Sequence, residues 1–390
     1  MAMKRRKTED IYGEIKELKS DAGWLYAGLP KFRSLFGRDS IISSLQLLDF
    51  DDSIAIETLK ILSETQGIVN DRKTFEEPGK IIHEIHEQSE DLNFRQKEVE
   101  WLARGRNYFS IDSTPLYVIL LVEEMKRRKE LIPIFKESLL GAMRWIIDYG
   151  LIGKYISYNK PPDGSGPQSM SWRDGIGDVL NRVTSPVSVI GVQSYTYEAL
   201  SEGSRFMDGT DPEQNLTYRI KGILSALKGH IYDDFTDEDG DFPGIAIGGD
   251  GVLSKSITSE PGHLIFSGIL DREHEKIIID RLFEEDMLTQ YGIRTMSNKD
   301  PYFDQKAYQR GSIWPNDNWI IAYGLMKRGY KNEFTDIRNR MLECSEKMGG
   351  LQEFIGVDRD GNIINPDRMR IRPCYPQAWA TGSEYYFRTH

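Results

Sequence analysis

The chain has 390 residues, 39% of them hydrophobic and 28% charged, with a formal net charge of −11. That composition belongs to a globular chain with a sizeable core, and its acidic balance argues against a polyanionic partner such as nucleic acid. No apolar run approaches the ~18 residues of a membrane span, and the basic Met1–Asp10 segment lacks the apolar stretch of a signal peptide, so a cytoplasmic protein without membrane contact is expected.

Helical periodicity begins at Arg5–Leu18. It resumes at Asp39–Phe50, where a capping residue precedes Ile42, Leu45 and Leu48, and again at Ser53–Thr65. Asp112–Arg128 opens on an acidic residue with proline in its first turn, and Pro133–Tyr149 is closed by Gly150. Ser188–Phe206 and Glu213–Lys228 form a further pair. Pro261–Leu270, Asp271–Phe283, Ser312–Lys327, Lys331–Met348 and Pro376–Phe387 bring the count to about twelve. Strand-like pieces, at 154–158 and 244–247, are short and lie in loops. The predicted class is all-α. Twelve helices joined as antiparallel pairs close into a double ring, an (α/α)6 toroid, here one domain over 1–390 with 1–20 as its N-terminal helix. Functional loops then gather at the end where the inner helices begin.

Other signals are weak. Cys344 and Cys374 have no metal-ligand spacing and read as buried thiols. The acidic run from Asp233 to Asp241 lacks the glutamate a calcium loop needs at its twelfth position, where Gly244 stands, and reads as a solvated turn. His83 and His86 are three apart rather than in an HExxH pattern, so a charged surface face is expected for His83-Glu84-Ile85-His86-Glu87. There is no G-x-S-x-G elbow, phosphate-binding loop or dinucleotide fingerprint.

Two carboxylates stand out. Asp174 follows Trp172-Arg173 in a Gly/Pro-rich loop, and Glu353 follows Gly349-Gly350-Leu351-Gln352 after a helical stretch. Around them the loops concentrate aromatic residues, whose faces stack on sugar rings, with polar residues that fork onto hydroxyls. The candidate contacts are Trp24, Phe36, Arg38, Asp39, Asp112, Trp172, Arg173, His263, Trp314, Asn316, Asp317, Gln377 and Trp379. Most stand at or just before an expected helix start. Asp39 and Asp112 are also candidates for simple N-caps, and His263 for a buried, satisfied histidine.

Together these segments resemble the glucoamylase-like glycoside hydrolases, in particular the amylo-α-1,6-glucosidase domain of glycogen-debranching enzymes. The stretches that carry the likeness include Leu35-Phe36-Gly37-Arg38-Asp39-Ser40, Asp112-Ser113-Thr114-Pro115, Trp172-Arg173-Asp174, Pro261-Gly262-His263-Leu264, Trp314-Pro315-Asn316-Asp317, Leu351-Gln352-Glu353 and Pro376-Gln377-Ala378-Trp379. They run in order from about residue 24 to the C-terminus. The resemblance implies an (α/α)6 toroid and an inverting mechanism with Asp174 as acid and Glu353 as base. It gives Arg38 and Asp39 the terminal glucose, an α-glucan or oligosaccharide as substrate, and no metal or organic cofactor. The chain departs from the family at Asn316, commonly histidine, and at Gln352, commonly proline, which leaves substrate identity open. The alternatives are another α/α-barrel sugar enzyme, such as an epimerase or uronyl hydrolase, and an inactive carbohydrate-binding relative.

Overall fold

A computed structural model describes residues 6–86, 105–162, 165–207, 213–238, 240 and 242–390. Arg5, Glu87, Asp239 and Asp241, which belonged to segments read from the sequence, lie outside these. The twelve α-helices among the described residues are α1 (Thr8–Leu18), α2 (Gly37–Gln46), α3 (Asp52–Glu64), α4 (Ser113–Arg127), α5 (Ile132–Trp145), α6 (Ile190–Gly203), α7 (Glu213–Phe235), α8 (Leu264–Ser267), α9 (Arg272–Leu282), α10 (Pro315–Arg328), α11 (Lys331–Met348) and α12 (Ala378–Thr389).

Burial separates them into two sets. The odd-numbered helices bury one stripe: α3 buries Ile54, Ala55, Thr58, Leu59 and Leu62, and α11 buries Phe334, Ile337, Met341, Cys344 and Ser345. That periodicity is the mark of a helix with one face on the core. The even-numbered helices are covered nearly all round, as α12 is from Ala378 to Phe387 and α4 from Ser113 to Val122. A helix buried on every side must lie inside. Accordingly α2 packs on α4, α4 on α6, α6 on α8, α8 on α10, α10 on α12, and α12 back on α2. The ring closes. Outside it, α1 packs on α12, α3 on α2 and α4, α5 on α4 and α6, α7 on α6, and α11 on α10 and α12. The fold is an (α/α)6 toroid.

The inner ring is not purely apolar. Small and amide side chains hydrogen-bond across its helix contacts, as most buried polar groups do: Gln46 donates to Ser383 Oγ at 2.9 Å and Ser44 to Thr58 Oγ1 at 3.2 Å. Gly37 opens α2 because an added Cβ there would strike the Ile82 carbonyl. Among the described residues no helix is long and apolar enough to cross a membrane.

Short strands dress the end where the inner helices begin. β1 (Leu35–Phe36), β2 (Glu84–Ile85) and β3 (Arg106–Asn107) form an antiparallel sheet with Phe36 opposite Glu84 and Glu84 opposite Asn107. The His83–His86 segment is therefore buried, with Glu84 only 1% exposed, which corrects the expected surface face. The helix expected at Glu213–Lys228 runs on to Phe235, so Asp233 and Asp234 are helical rather than part of a turn. Cys344 and Cys374 are buried free thiols.

Candidate active site

A cavity of about 450 Å³ opens at the N-terminal end of the inner ring. Helix starts deliver much of its wall: Arg38 and Asp39 from the first turn of α2, Trp314 from the N-cap of α10, and Trp379 from the first turn of α12. Asp174 and Glu353 both line it, each from a loop of its own.

The Asp174 loop is clamped from several sides. Gln309 donates to the Trp172 carbonyl at 2.6 Å and accepts from Gly175 N–H at 2.8 Å, so one amide grips the backbone on both sides of the acid. An added Cβ on Gly175 would come within 2.7 Å of Gln309 Oε1. Arg173 points away from the cavity. It donates to the Thr295 and Gln309 carbonyls at 3.1 and 2.7 Å and to Asp178 at 3.0 Å. Arg173 thus anchors the loop from behind, and the sugar contact expected of it is corrected.

The Glu353 loop is stitched to the start of α10 by paired backbone bonds between Ile355 and Ile313, at 2.8 and 2.9 Å. Both carboxylate oxygens of Glu353 are held: Tyr308 Oη donates to Oε1, and Cys374 N–H donates to Oε2 at 2.8 Å. Fixing both oxygens sets the orientation of the group.

Arg38 is the electrostatic hub. Its Nη1 donates to both oxygens of Asp112 at 3.2 and 3.1 Å, and its Nη2 donates to Asp174 Oδ2 at 2.9 Å. Asp112 is fully buried and does not reach the cavity; Ser110 also donates to it at 2.6 Å. It stands at the N-cap position of α4 but makes no side-chain cap bond, so its role is to hold Arg38. Asp39 is not an N-cap either, since Phe36 occupies that position.

Three carboxyls, those of Asp39, Asp112 and Asp174, crowd one buried guanidinium, and they cannot all be charged at low cost. Burial raises the Asp39 carboxyl to about 8; Arg38 opposes the shift, while Asp174, Glu353 and Asp112 add to it. Burial also raises Asp174 above the usual carboxylate range against the pull of Arg38, although its side chain retains 35% exposure. It raises Glu353 too, against the hydrogen bonds from Tyr308 and Cys374, and the charge of Asp174 adds to that shift. Two carboxyls with raised values in one cavity suit a proton-transfer role.

Aromatic rings complete the wall. Trp172, Trp314 and Trp379 line the cavity, with Trp314 edge-on to each of the other two at centroid separations of 5.8 Å. Trp379 Nε1 has no hydrogen-bond partner among the described residues, a donor available to a sugar hydroxyl. Phe36 lines the opposite strand–helix junction with Glu84 and His83.

Several expected contacts lie elsewhere. Trp24 is in the core, edge-on to Tyr26 at 5.1 Å. His263 sits behind Trp172, between Tyr195 Oη and Asp317 Oδ1, each 2.7 Å away. Burial opposes its protonation, but Asp317 and Glu260 outweigh burial and raise its pKa. Trp172 Nε1 donates to Glu260 at 2.7 Å, so this buried polar cluster supports the back of a cavity ring. Gln377 caps α12 and donates to Asp39 Oδ2 at 3.3 Å, reaching the site through Asp39. Asn316 and Asp317 are fully buried away from the cavity. The departure at Asn316 therefore changes the support under the site rather than its lining. Conversely, Lys31, Phe32, Glu84, Gln168, Asn181, Tyr308 and Ile371 line the cavity without having been among the candidate contacts.

Residues 223–385 match the mannosylglycerate hydrolase MGH1-like glycoside hydrolase domain. The match covers less than half of the chain. Solved structures are similar over nearly its whole length. A GH63 mannosylglycerate hydrolase from Thermus thermophilus in complex with Tris and D-glycerate has a TM-score of 0.72 at 15% identity, covering 98% of this chain and 99% of that one. The same enzyme in complex with glucose has a TM-score of 0.69 at 16% identity and the same coverage. A structure described as a wild-type glycosidase has a TM-score of 0.67 at 10% identity, covering 98% and 95%. No curated protein matches the sequence. These are similarities to glycoside hydrolases, and none of them singles out the debranching subtype.

Proposed function

We propose that the chain is an inverting glycoside hydrolase that removes a terminal α-linked hexose, with Asp174 as general acid and Glu353 as general base. The observation that carries this reading is the placement of both carboxyls on one aromatic-walled cavity, each pushed above the usual carboxylate range. Asp174 protonates the departing glycosidic oxygen. Glu353, aligned by Tyr308 and Cys374, takes a proton from the water that attacks the anomeric carbon on the opposite ring face. The C1–O bond breaks, a C1–OH bond forms, and the configuration inverts. Arg38 and Asp39 fork onto hydroxyls of the hexose, and Trp314 and Trp379 supply its stacking surface.

A cavity of about 450 Å³ lies toward the lower end of the ~300–1,000 Å³ range of small-molecule sites, which favours a short glycoside. The α-1,6 stub of a branched glucan is the narrower reading, supported by the debrancher-like Gly37-Arg38-Asp39 and Pro376-Gln377-Ala378-Trp379 segments. Turnover of α-mannosyl and α-glucosyl glycerate, isomaltose, panose and limit dextrin is the test, with NMR of the first-formed anomer. Asp174→Asn and Glu353→Gln are each expected to lose about 10²–10⁴ in kcat with Tm retained. Full turnover by either variant ends the assignment of that residue.

A further inference from the structure

A second concavity, of about 550 Å³, is lined by Arg182, Arg310, Arg359 and Arg370 together with Tyr302, Phe303 and Asp304. Four arginines face one aspartate on a chain whose net charge is −11. An ordinary structural ion-pair cluster balances its charges; this one does not. Asp304 is engaged by Arg310 at 3.1 Å and Arg370 at 2.6 Å. Arg182 and Arg359 have no ion-paired carboxylate among the described residues. Instead their guanidinium groups lie over aromatic rings, Arg182 on Tyr302 at 4.5 Å and Arg359 on Phe303 at 5.0 Å.

Stacking fixes the plane of a guanidinium while leaving its N–H edge free, the arrangement that suits a forked bond to an oxyanion. The groove floor is also set in advance. Arg359 donates to the Asn298 carbonyl at 2.6 Å, Arg310 to the Tyr302 carbonyl at 3.3 Å, and Asp304 N–H to the Arg310 carbonyl at 2.9 Å. An excess of three positive charges matches a multiply charged oxyanion better than a single carboxylate.

The groove shares a wall with the catalytic cavity. Asn181 lines the cavity and Arg182 the groove; Ile371 lines the cavity and Arg370 the groove. Such neighbours are about 3.8 Å apart along the chain. Arg182 also ends the 3₁₀ turn Val179–Arg182, which follows the loop bearing Asp174. Under the hydrolase reading that is the side on which the leaving group departs.

We propose that this groove is a phosphate subsite. It takes either a phosphate carried on the leaving group of the glycoside, a source that rests on the hydrolase reading, or free phosphate, which does not.

The test uses the whole chain and the Arg182→Ala/Arg359→Ala double variant. Both side chains are exposed, so the variant is expected to fold, with Tm as the check. Inorganic phosphate is titrated calorimetrically against both proteins at fixed ionic strength. In parallel, α-glucosyl and α-mannosyl glycerol are compared as substrates with and without a phosphate on the glycerol. Saturable phosphate binding by the wild type, weakened about tenfold or more in the variant, upholds the subsite. A KM advantage for the phosphorylated substrate that vanishes in the variant assigns the phosphate to the leaving group; binding without that advantage assigns it to a free anion. No saturable binding, or equal binding by both proteins, overturns the proposal. If none of the glycosides is turned over, the hydrolase reading fails for them, and the titration still decides the phosphate subsite.

Discussion

Tyr308→Phe isolates one of the two bonds that hold the proposed base. The phenol donates to Glu353 Oε1, while the ring packs edge-on against Trp314 at 4.8 Å and Phe354 at 5.0 Å. Phenylalanine keeps both ring contacts and removes only the hydroxyl. A hydrogen bond to a charged group is worth about 1.5–3 kcal/mol, and one pKa unit is about 1.4 kcal/mol. Because this bond favours the ionised form of Glu353, its loss raises the carboxyl further. A general base works ionised, so the low-pH limb of kcat/KM moves to higher pH. Cys374 N–H still holds Oε2, and the plateau rate is expected to fall by about tenfold or less. The assay is kcat/KM against pH for both proteins on one substrate, with Tm measured across the range. An unmoved low-pH limb beside a reduced plateau refutes Glu353 as the group titrating there.

Three further perturbations test the surrounding network. Asp112→Asn removes a charge that raises Asp174 and weakens the competitor for Arg38, so the Asp174 carboxyl drops and the high-pH limb of kcat/KM moves to lower pH; a limb that rises instead separates Asp174 from the acid role. Gln309→Leu frees the backbone on both sides of Asp174, and a misplacement of about 1 Å can cost on the order of 10² in rate. The loss is expected in kcat rather than KM, and an unchanged kcat would show that Arg173 alone secures the loop. Asp39→Asn concerns stability. Asp39 ionises near 3.8 when unfolded and near 8 when folded, because of burial and the carboxyls of Asp174, Glu353 and Asp112, opposed by Arg38. Between those values the unfolded state binds fewer protons, so this residue makes the wild type less stable as pH rises from about 4 to 8. The variant's Tm advantage should therefore widen across that window and then level off; parallel melting curves would mean that Asp39 is already ionised in the fold.

The helices were legible because each repeats one signal. Apolar spacing marked the twelve expected segments, with a cap or a terminal glycine at a few of them, and their number and pairing were compatible with closure into a ring. Residue types at the site were legible as well, since stacking and forking chemistry collected at helix starts. Side-chain direction was not. Trp172 and Asp174 face the cavity while Arg173 between them faces the core, and Trp314 lines the wall while Asn316 and Asp317, one half-turn on, are buried behind it. Sequence spacing at the frayed first turn of a helix, or in an irregular loop, does not fix which side is inward. The two-residue strands around Glu84 are too short to show an alternating pattern, so its burial opposite Phe36 left no periodic trace. Tyr308 and Gln309 stand in a loop without a motif; only the tertiary approach to Glu353 and to the Asp174 backbone reveals them.

The polar interior of the inner ring follows from the same geometry that makes the cavity. When helices radiate their N-termini toward a common end, charged groups near those ends become enclosed by neighbouring helices rather than by water. Arg38 then has to serve Asp112 below it and Asp174 beside it, and a third carboxyl, Asp39, is left best accommodated as the neutral acid. The cost of that neutral carboxyl is lost stability near neutral pH. Its return, under the hydrolase reading, is a set of hydrogen-bonding groups already aligned on the hexose before it arrives. Stability and turnover should therefore move in opposite directions in Asp39→Asn: a protein that melts higher at pH 8 and hydrolyses more slowly. A variant that gained stability at no cost in turnover would remove Asp39 from the sugar site and leave it a purely structural strain.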